Sequence, residues 1–323
     1  MPLSSTAEPT AISVLAAARL SPLYESQLAA AFELHERLHE TDPAAFAAIA
    51  PRIRAIAASG DSKVPADLIA RLPALQIVSV MGVGYDGIDV AAAKARGVVV
   101  THTPNVLNDD VADLALGLML CAARQLPAAD RWVREGRWPG GPMPLARRMS
   151  GARLGLVGMG RIGQAIAARA EGFGMKVAYT ARSAKPELPQ RYLPSARALA
   201  AESDFLVVIT PGGPATRKLI DAEVLAALGP KGILVNVARG SVVDEDALVD
   251  ALERGLIGGA GLDVFENEPQ VPERLRALPQ VVLTPHIGSA TGQTRQAMAD
   301  LAFGNLREFF AGRPLLSPVP ECA

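Results

Sequence analysis

Short apolar runs alternate along the chain with stretches in which apolar residues recur at helical spacing. In the first third, the runs predicted as strands are Ile12–Ala16, Phe32–Leu38, Ile53–Ala58, Leu75–Met81 and Val98–Thr101. The helical stretches between them include Ser26–Ala31, Pro65–Leu72 and Val90–Arg96. Strands that alternate with helices indicate βαβ units, and therefore a parallel sheet covered by helices.

A second series of the same kind begins after residue 150. Its predicted strands are Arg153–Val157, Lys176–Ala181, Phe205–Thr210, Ile233–Ala238, Gly261–Phe265 and Val281–Thr284. Helices are predicted between them, for example at Arg161–Phe173, Asp221–Leu228 and Asp244–Arg254. The pattern therefore predicts an α/β protein with two doubly wound parallel-sheet domains and a cleft between them.

One long segment, Leu107–Arg124, joins the two series. Its later turns are apolar on every side, and a helix that is apolar all round must be buried all round. Its large apolar side chains are Leu114, Leu116, Leu118, Met119 and Leu120. Because these cannot all face the core of one domain, the segment predicts the interface of a homodimer.

The last helix is predicted at Gly292–Ala311 and is ended by Gly312. It is placed to run back from the second domain to the first, so the chain would cross between domains near 104 and near 290. We therefore predict one domain from residues 1–104 plus 290–323, and a second domain from residues 105–289.

Composition narrows the choice of partners. The 323 residues carry 32 Lys and Arg against 33 Asp and Glu, a formal net charge of -1, which argues against nucleic acid or an anionic membrane as the partner. The longest apolar stretch, Leu114–Ala123, has ten residues where a membrane span needs about 20. Only Cys121 and Cys322 are present, and the first ten residues lack the features of a signal peptide. We expect a cytoplasmic protein.

The strongest local motif is the sequence G-x-G-x-x-G formed by Gly158, Gly160 and Gly163. A buried strand precedes it and a helix follows it, a context that favours a dinucleotide-binding turn over a Gly-rich turn in an ordinary α/β sheet. In such a turn the first glycine permits a tight bend, the second leaves room for a pyrophosphate, and the third lets the helix pack against the strand.

The next strand ends in a loop that lacks an acidic residue. An enzyme that uses NAD would place an Asp or Glu there to bind the ribose 2′-hydroxyl, but none occurs from Lys176 to Lys185. The loop instead contains Ala181, Arg182 and Ser183. A cation and a hydroxyl suit a 2′-phosphate, although a solvated surface loop would have the same composition.

Polar residues follow the later strands at the edge where ligands bind in a doubly wound sheet. These residues are Thr210 with Pro211, Arg239, Asp263, Glu268 and His286. Taken singly, Arg239 could be a surface ion pair, Glu268 a loop charge and His286 a core histidine. Their placement on one edge of one sheet favours a catalytic site.

The sequence His35-Glu36-Arg37-Leu38-His39 matches the zinc motif H-E-x-x-H. That chemistry needs a helix, but apolar residues alternate here at strand spacing, and no third ligand is evident. We expect no metal site, and we interpret these residues as exposed positions of an edge strand.

With these residues in view, the chain resembles the D-2-hydroxyacid dehydrogenases. The segments that carry the resemblance are 83–89, 158–163, 237–240, 261–269 and 284–288. Within the family it looks most like the NADPH-dependent glyoxylate/hydroxypyruvate reductases and the hydroxyphenylpyruvate reductases, on the strength of residues 103–113 and 181–183. The resemblance implies a Rossmann-type cofactor domain and a flavodoxin-like substrate domain.

The family's mechanism assigns roles to residues of this chain. A 2-oxoacid carboxylate would bind the fork of Arg239 and the backbone N–H groups at Val83 and Gly84. His286 would give a proton to the carbonyl oxygen, and Glu268 would orient His286 and favour its protonated form.

The resemblance also implies NADP as the cofactor, with NADPH preferred over NADH. Asp263 and the backbone at Val237 would position the nicotinamide ring. The full set predicted to contact the cofactor is Gly158, Met159, Gly160, Arg161, Ile162, Gly163, Ala181, Arg182, Ser183, Thr210, Pro211, Val237, Ala238 and Asp263.

Two alternatives stay open on the sequence. One is an NAD-linked D-lactate or phosphoglycerate dehydrogenase on the same frame, against which the loop at Arg182 counts. The other is a dinucleotide-sensing binding protein like the corepressors that share this fold, which also have Arg, Glu and His. The sequence does not fix which 2-oxoacid is reduced.

Overall fold

The computed structural model describes residues 11–323, and their contacts divide the chain into two units. The first unit comprises Met1–Leu107, as far as it is described, together with Thr291–Ala323. The second unit is Asn108–Ala290. The second unit is thus inserted in the chain of the first.

The first unit is built on a five-stranded sheet. Its strands are β1 (Ser13–Ala16), β2 (Glu33–Glu36), β3 (Ile53–Ser59), β4 (Ile77–Met81) and β5 (Val99–Thr101). All neighbours are parallel, in the order β2-β1-β3-β4-β5. Its first helices are α1 (Pro22–Ala31), α2 (Leu38–Thr41), α3 (Pro43–Ile49), α4 (Ala66–Ala70) and α5 (Val90–Ala95).

The second unit is built on a seven-stranded sheet. Its strands are β6 (Arg153–Val157), β7 (Lys176–Thr180), β8 (Arg191–Tyr192), β9 (Phe205–Val208), β10 (Ile233–Asn236), β11 (Gly259–Leu262) and β12 (Val281–Leu283). The order is β12-β11-β10-β9-β6-β7-β8, with every neighbour parallel.

Helices cover the second sheet and return the chain to the first unit. Those of the second unit are α6 (Asn108–Arg124), α7 (Leu126–Arg134), α8 (Arg161–Glu171), α9 (Ala196–Ala201), α10 (Ala222–Leu228), α11 (Glu245–Glu253) and α12 (Glu273–Arg276). The chain then re-enters the first unit as α13 (Gly292–Phe310). The prediction of two doubly wound parallel sheets is confirmed.

Side-chain caps explain why several helices begin where they do. The Ser21 hydroxyl accepts from the Tyr24 N–H at the start of α1, and Asp42, Asp89 and Asp244 do the same for α3, α5 and α11. A capping oxygen satisfies one of the N–H groups that the first turn leaves without a helical partner.

Two predicted strands differ most from the observed ones. β2 covers only Glu33–Glu36 of the predicted Phe32–Leu38, because Arg37 has a left-handed φ of 49° and immediately precedes α2. β11 ends at Leu262, three residues before the predicted end at Phe265. The side chain and backbone of Asp263 bind the turn after β12, so the chain leaves the sheet at that point.

The prediction that His35 and His39 are exposed is wrong. His35 does lie on β2, the edge strand, but His39 lies on α2, and their side chains are only 13% and 9% exposed. The His39 ring lies 6.1 Å from that of Phe46, and burial lowers the pKa of His39. Among residues 11–323 no group of three His, Cys, Asp or Glu side chains could hold a metal ion.

The α6 helix is covered on one side by its own unit. Leu116, Leu118 and Met119 are buried, and the Leu118 side chain lies against Gly261 of β11. Leu114 and Leu120 stay half-buried. Three of the five large apolar side chains thus face the core of their own unit, because the small residues of β11 let α6 pack closely on the sheet.

No single helix in the described part of the chain is long and apolar enough to cross a membrane. The pair α6 and α7 would be long enough together, but it is bent by 58°.

Candidate active site

The Gly-rich turn joins β6 to α8. Gly158 has a φ of 111°, and a side chain there would lie 2.6 Å from the Ile209 carbonyl oxygen, so only glycine fits. At Gly163 a side chain would lie 2.5 Å from the Gly158 oxygen, which shows how closely α8 packs on the turn. Gly160 is exposed and has open space on its side-chain face. Met159 is buried beneath the turn.

Open space at Gly160 in front of a helix N-terminus is what a pyrophosphate requires. The first residues of α8, Arg161 and Ile162, follow at once, and the N–H groups of this first turn have no helical acceptor. The turn therefore fits a dinucleotide.

The loop after β7 presents a cation at the same edge of the sheet. Ala181 is half-buried, and Arg182 and Ser183 are exposed. The Lys185 N–H donates to the Tyr179 hydroxyl at 2.6 Å, which folds the loop back onto its own strand. The loop thus leaves the Arg182 guanidinium and the Ser183 hydroxyl accessible.

Backbone hydrogen bonds tie the neighbouring strand ends together. The Gly158 N–H donates to the Thr180 carbonyl at 2.9 Å, and the Ile209 N–H donates to the Val157 carbonyl at 2.9 Å. Thr210 and Pro211 follow directly, half-buried and exposed respectively. The residues predicted to contact a cofactor after β6, β7 and β9 are therefore brought together.

Arg239 lies in a turn after β10 that a buried amide holds in shape. Asn236, only 1% exposed, accepts from the Ala238 N–H at 3.0 Å and donates to the Arg239 carbonyl at 2.9 Å. Val237 and Ala238 are buried between them. Asn236 was not predicted from the sequence, although an amide at the end of an otherwise apolar strand is a signal for such a residue.

The Arg239 turn lies directly against the segment that contains Glu268. A side chain at Gly240 would collide with the backbone of Phe265, at 1.9 Å from its carbonyl carbon. Glycine at this position lets the two loops meet. The Arg239 guanidinium itself donates to the Ala238 carbonyl at 2.7 Å.

His286 and Glu268 form a direct pair. The His286 Nδ1 lies 2.6 Å from a Glu268 oxygen, and the other oxygen of that carboxylate accepts from the Phe265 N–H at 2.9 Å. His286 has a left-handed φ of 53°, and 41% of its side chain stays exposed. The imidazole is therefore oriented by its Nδ1 and accessible on its remaining face.

Each member of this pair changes the pKa of the other. The hydrogen bond to Glu268 raises the pKa of His286, and burial and the charge of Arg239 oppose this in part. Burial alone would raise the pKa of Glu268, but the hydrogen bond and charge of His286 outweigh it and lower that pKa. The pair therefore favours a protonated His286 beside an ionised Glu268. The imidazolium of His286 can hold a proton and release it.

Asp263 holds the turn on which His286 sits. Its carboxylate is buried and accepts from the Thr284 hydroxyl at 2.6 Å and from the N–H groups of Ile287 and Gly288, both at 2.8 Å. Its carbonyl accepts from the His286 N–H at 2.9 Å. These contacts give Asp263 and Thr284 a part in orienting His286, which the sequence analysis did not foresee.

Val83 and Gly84 belong to the first unit, whereas Arg239, Glu268 and His286 belong to the second. They follow β4 in a loop and are half-buried. Within residues 11–323 their N–H groups donate to no acceptor of the protein. The loop therefore has two consecutive donors to offer to a ligand.

Comparison with known proteins places this site in a family. The family model for the D-isomer specific 2-hydroxyacid dehydrogenase, NAD binding domain, matches residues 116–288. This range contains the Gly-rich turn, Arg239, Glu268 and His286.

Individual relatives match over nearly the whole chain. The hydroxyphenylpyruvate reductase of Plectranthus scutellarioides is 47% identical over 96% of this chain and 99% of its own length. A glyoxylate/hydroxypyruvate reductase A of Arabidopsis thaliana is 49% identical over 83% of this chain and 85% of its own.

A solved structure also superimposes closely. The NADPH-dependent glyoxylate/hydroxypyruvate reductase of Sinorhizobium meliloti, crystallised with NADP and malonate, is 47% identical with a TM-score of 0.90. The match covers 96% of this chain and 97% of that one.

Proposed function

The chain belongs to the D-isomer specific 2-hydroxyacid dehydrogenase family, and from this membership we propose that it reduces small 2-oxoacids, such as glyoxylate or hydroxypyruvate, to D-2-hydroxyacids with NADPH. The observation that carries the proposal is the 2.6 Å contact between His286 Nδ1 and Glu268, in the same unit as the Gly-rich turn. Such a pair keeps a proton ready for a carbonyl oxygen.

In this mechanism the chain's own residues bind and protonate the oxoacid. The planar fork of Arg239 binds the carboxylate, helped by the N–H groups of Val83 and Gly84. His286 gives its Nε2 proton to the carbonyl oxygen, and Glu268 compensates the imidazolium charge until that moment. When bound, NADPH supplies the hydride that the carbonyl carbon receives.

NADP is the cofactor that the residues after β7 fit. Arg182 and Ser183 are exposed at the strand end, next to the open space at Gly160 on the neighbouring turn. A guanidinium can form charge-assisted bonds to a 2′-phosphate. We assign NADP binding to the unit Asn108–Ala290, which also contains Arg239, Glu268 and His286.

The relatives favour a reductase over the two alternatives. Relatives named hydroxyphenylpyruvate reductase, glyoxylate/hydroxypyruvate reductase and 2-ketogluconate reductase match this chain at 47%, 49% and 44% identity. A D-lactate dehydrogenase of Aquifex aeolicus crystallised with NAD has the same fold but is 26% identical. The NAD-linked dehydrogenase and the corepressor-like binding protein therefore fit less well.

We also propose a homodimer in the cytoplasm, with no nucleic-acid or membrane partner. Four of the eight large apolar side chains exposed within residues 11–323 fall just after α6: Leu126, Val133, Trp138 and Leu145. Leu114 and Leu120 of α6 are half-buried. A second copy of the chain would cover such a surface. The net charge of -1 provides no excess of positive charge to attract nucleic acid.

The test is turnover by the purified protein. We expect NADPH oxidation with glyoxylate or hydroxypyruvate, and a loss of about 10²–10⁴-fold in kcat for His286→Ala, the cost of removing a general acid. Arg239→Ala should instead mainly raise KM for the oxoacid. A protein that oxidises NADPH with none of a panel of 2-oxoacids contradicts the proposal and favours the binding protein.

A further inference from the structure

His102 follows β5, and its imidazole is buried in the first unit. The residue is 8% exposed, and its Nδ1 lies 3.0 Å from the Val83 carbonyl oxygen. A carbonyl oxygen can only accept a hydrogen bond, so Nδ1 is the donor. The contact thus requires a hydrogen on Nδ1 of this imidazole.

The backbone and the ring of His102 are both held in place. The Ser317 hydroxyl donates to the His102 carbonyl at 2.6 Å, and the His102 N–H donates to the Ser317 carbonyl at 3.1 Å. The Tyr85 ring meets the imidazole edge-on, with centroids 5.3 Å apart. The donor therefore sits on a rigid support.

The loop after β4 receives few other hydrogen bonds near Val83. The Thr103 N–H donates to the Gly82 carbonyl at 2.8 Å. Among the described residues, His102 gives the only side-chain hydrogen bond to Gly82, Val83 or Gly84. The orientation of the peptide between Val83 and Gly84 depends on that bond.

The peptide between Val83 and Gly84 connects the His102–Val83 hydrogen bond to the Gly84 N–H group. In a planar trans peptide the C=O and the following N–H point in opposite directions. Holding the Val83 carbonyl toward His102 therefore turns the Gly84 N–H away from His102, and a hydrogen bond to the carbonyl also polarises the amide. Gly84 is one of the two residues assigned above to the oxoacid carboxylate.

We propose that His102 is a positioning residue for 2-oxoacid binding, which acts by fixing the direction of the Gly84 N–H. The inference rests on the proposed function. In this proposal His102 acts on the oxoacid through the peptide between Val83 and Gly84 and not by direct contact. Because a carboxylate is bound in both the ground state and the transition state, the effect falls on KM and leaves kcat nearly unchanged.

The experiment compares three variants in NADPH-dependent glyoxylate reduction. His102→Leu removes the donor and should raise KM for glyoxylate about tenfold, the value of about one hydrogen bond, with kcat changed less than about twofold. His102→Asn keeps a donor at the position of Nδ1 and should stay within about twofold of the wild type. Ser317→Ala is the matched control: it weakens the support of His102 but not the bond to Val83, so it should lower the melting temperature and leave KM unchanged.

Each outcome decides between a positioning and a structural role. A His102→Leu protein with the wild-type KM overturns the inference, and so does an equal rise of KM in His102→Leu and Ser317→Ala. Failure of His102→Asn to restore KM also overturns it, since the donor would then not be what matters. If the leucine variant does not fold, His102→Ala serves in its place.

The inference and the proposed function fail differently. A wild-type chain that reduces no 2-oxoacid overturns both. A wild-type chain that turns over glyoxylate, beside a His102→Leu variant with unchanged KM, overturns only the role of His102.

Discussion

At the scale of single residues, His286 and Glu268 each shift the pKa of the other. The pH dependence of reduction should reflect this coupling. Because the hydrogen bond to Glu268 raises the pKa of His286, the proton-donating form persists to higher pH than for a free histidine. Reduction should therefore decline only as pH rises through that raised pKa. In Glu268→Gln the carboxylate that raises the pKa of His286 is gone, while burial still lowers that pKa. The alkaline limb of kcat/KM should therefore move to lower pH.

The control for this shift is Glu266→Gln. Glu266 is a neighbouring carboxylate, but its ion pair is with Arg217 at 2.9 Å and not with His286. The pH limb of Glu266→Gln should match that of the wild type. A limb that stays in place in Glu268→Gln would show that another group supplies the proton.

Arg182 makes a second prediction at this scale. Hydrogen bonds to charged groups contribute about 1.5–3 kcal/mol, so Arg182→Ala should lower kcat/KM for NADPH by roughly ten- to a hundredfold and barely change that for NADH. Lys176→Ala, at the opposite end of the same strand, removes a charge without touching the loop and should change neither. Equal losses with both cofactors would mean that the loop does not recognise the 2′-phosphate.

At the scale of elements, the two sides of α6 should respond differently to substitution. Leu118 packs on β11, so Leu118→Ala should lower the free energy of unfolding by about 2–5 kcal/mol without changing the assembly. Leu114 lies on the half-buried side, and Leu114→Glu should yield a monomer of nearly unchanged secondary structure. Analytical ultracentrifugation and thermal unfolding measure the two effects. A wild-type protein that sediments as a monomer at micromolar concentration would refute the dimer.

Elements with local signals were predictable from the sequence, and elements set by distant contacts were not. The Gly-rich turn at Gly158 was found because strand, glycines and helix follow one another. The short β2 was not, because the left-handed conformation of Arg37 has no periodic signal. The burial of Leu118 depends on the small residues of β11, more than 140 positions away by their numbering.

The same distinction holds for the candidate site, where some residues were predictable from the sequence and others were not. Arg239, Glu268 and His286 were singled out because strand ends share one edge of a sheet, and the family prediction that included them is confirmed. Asn236 and Thr284, which support these residues, and His102, which bonds to the Val83 carbonyl, act through hydrogen bonds of specific geometry. Hydrophobic periodicity does not encode such bonds, so they became visible only in the structure.

For the whole molecule, the division of the chain into two units predicts two unfolding units. One core cluster joins residues between Val157 and Leu275 in the second unit, and another joins residues between Leu15 and Val100 with Val319 in the first. NADPH at about a hundred times its Kd should stabilise the unit that binds it by about 2.7 kcal/mol. Hydrogen exchange should therefore slow in β6, β9 and β10 but not in β1 and β3. Equal slowing in both sheets would show that the protein unfolds as one body.

The insertion of the second unit between β5 and α13 has a consequence for synthesis on the ribosome. Residues 108–290 emerge as one uninterrupted stretch and can fold as soon as they have left the exit tunnel. The first unit must wait, because Ser79 bonds to the Ala302 carbonyl and Val100 pairs with Val319, both on the last part of the chain to be translated. The unit whose synthesis begins first is thus the unit that is completed last, and a nascent chain halted before α13 would hold a folded second unit and an incomplete first unit.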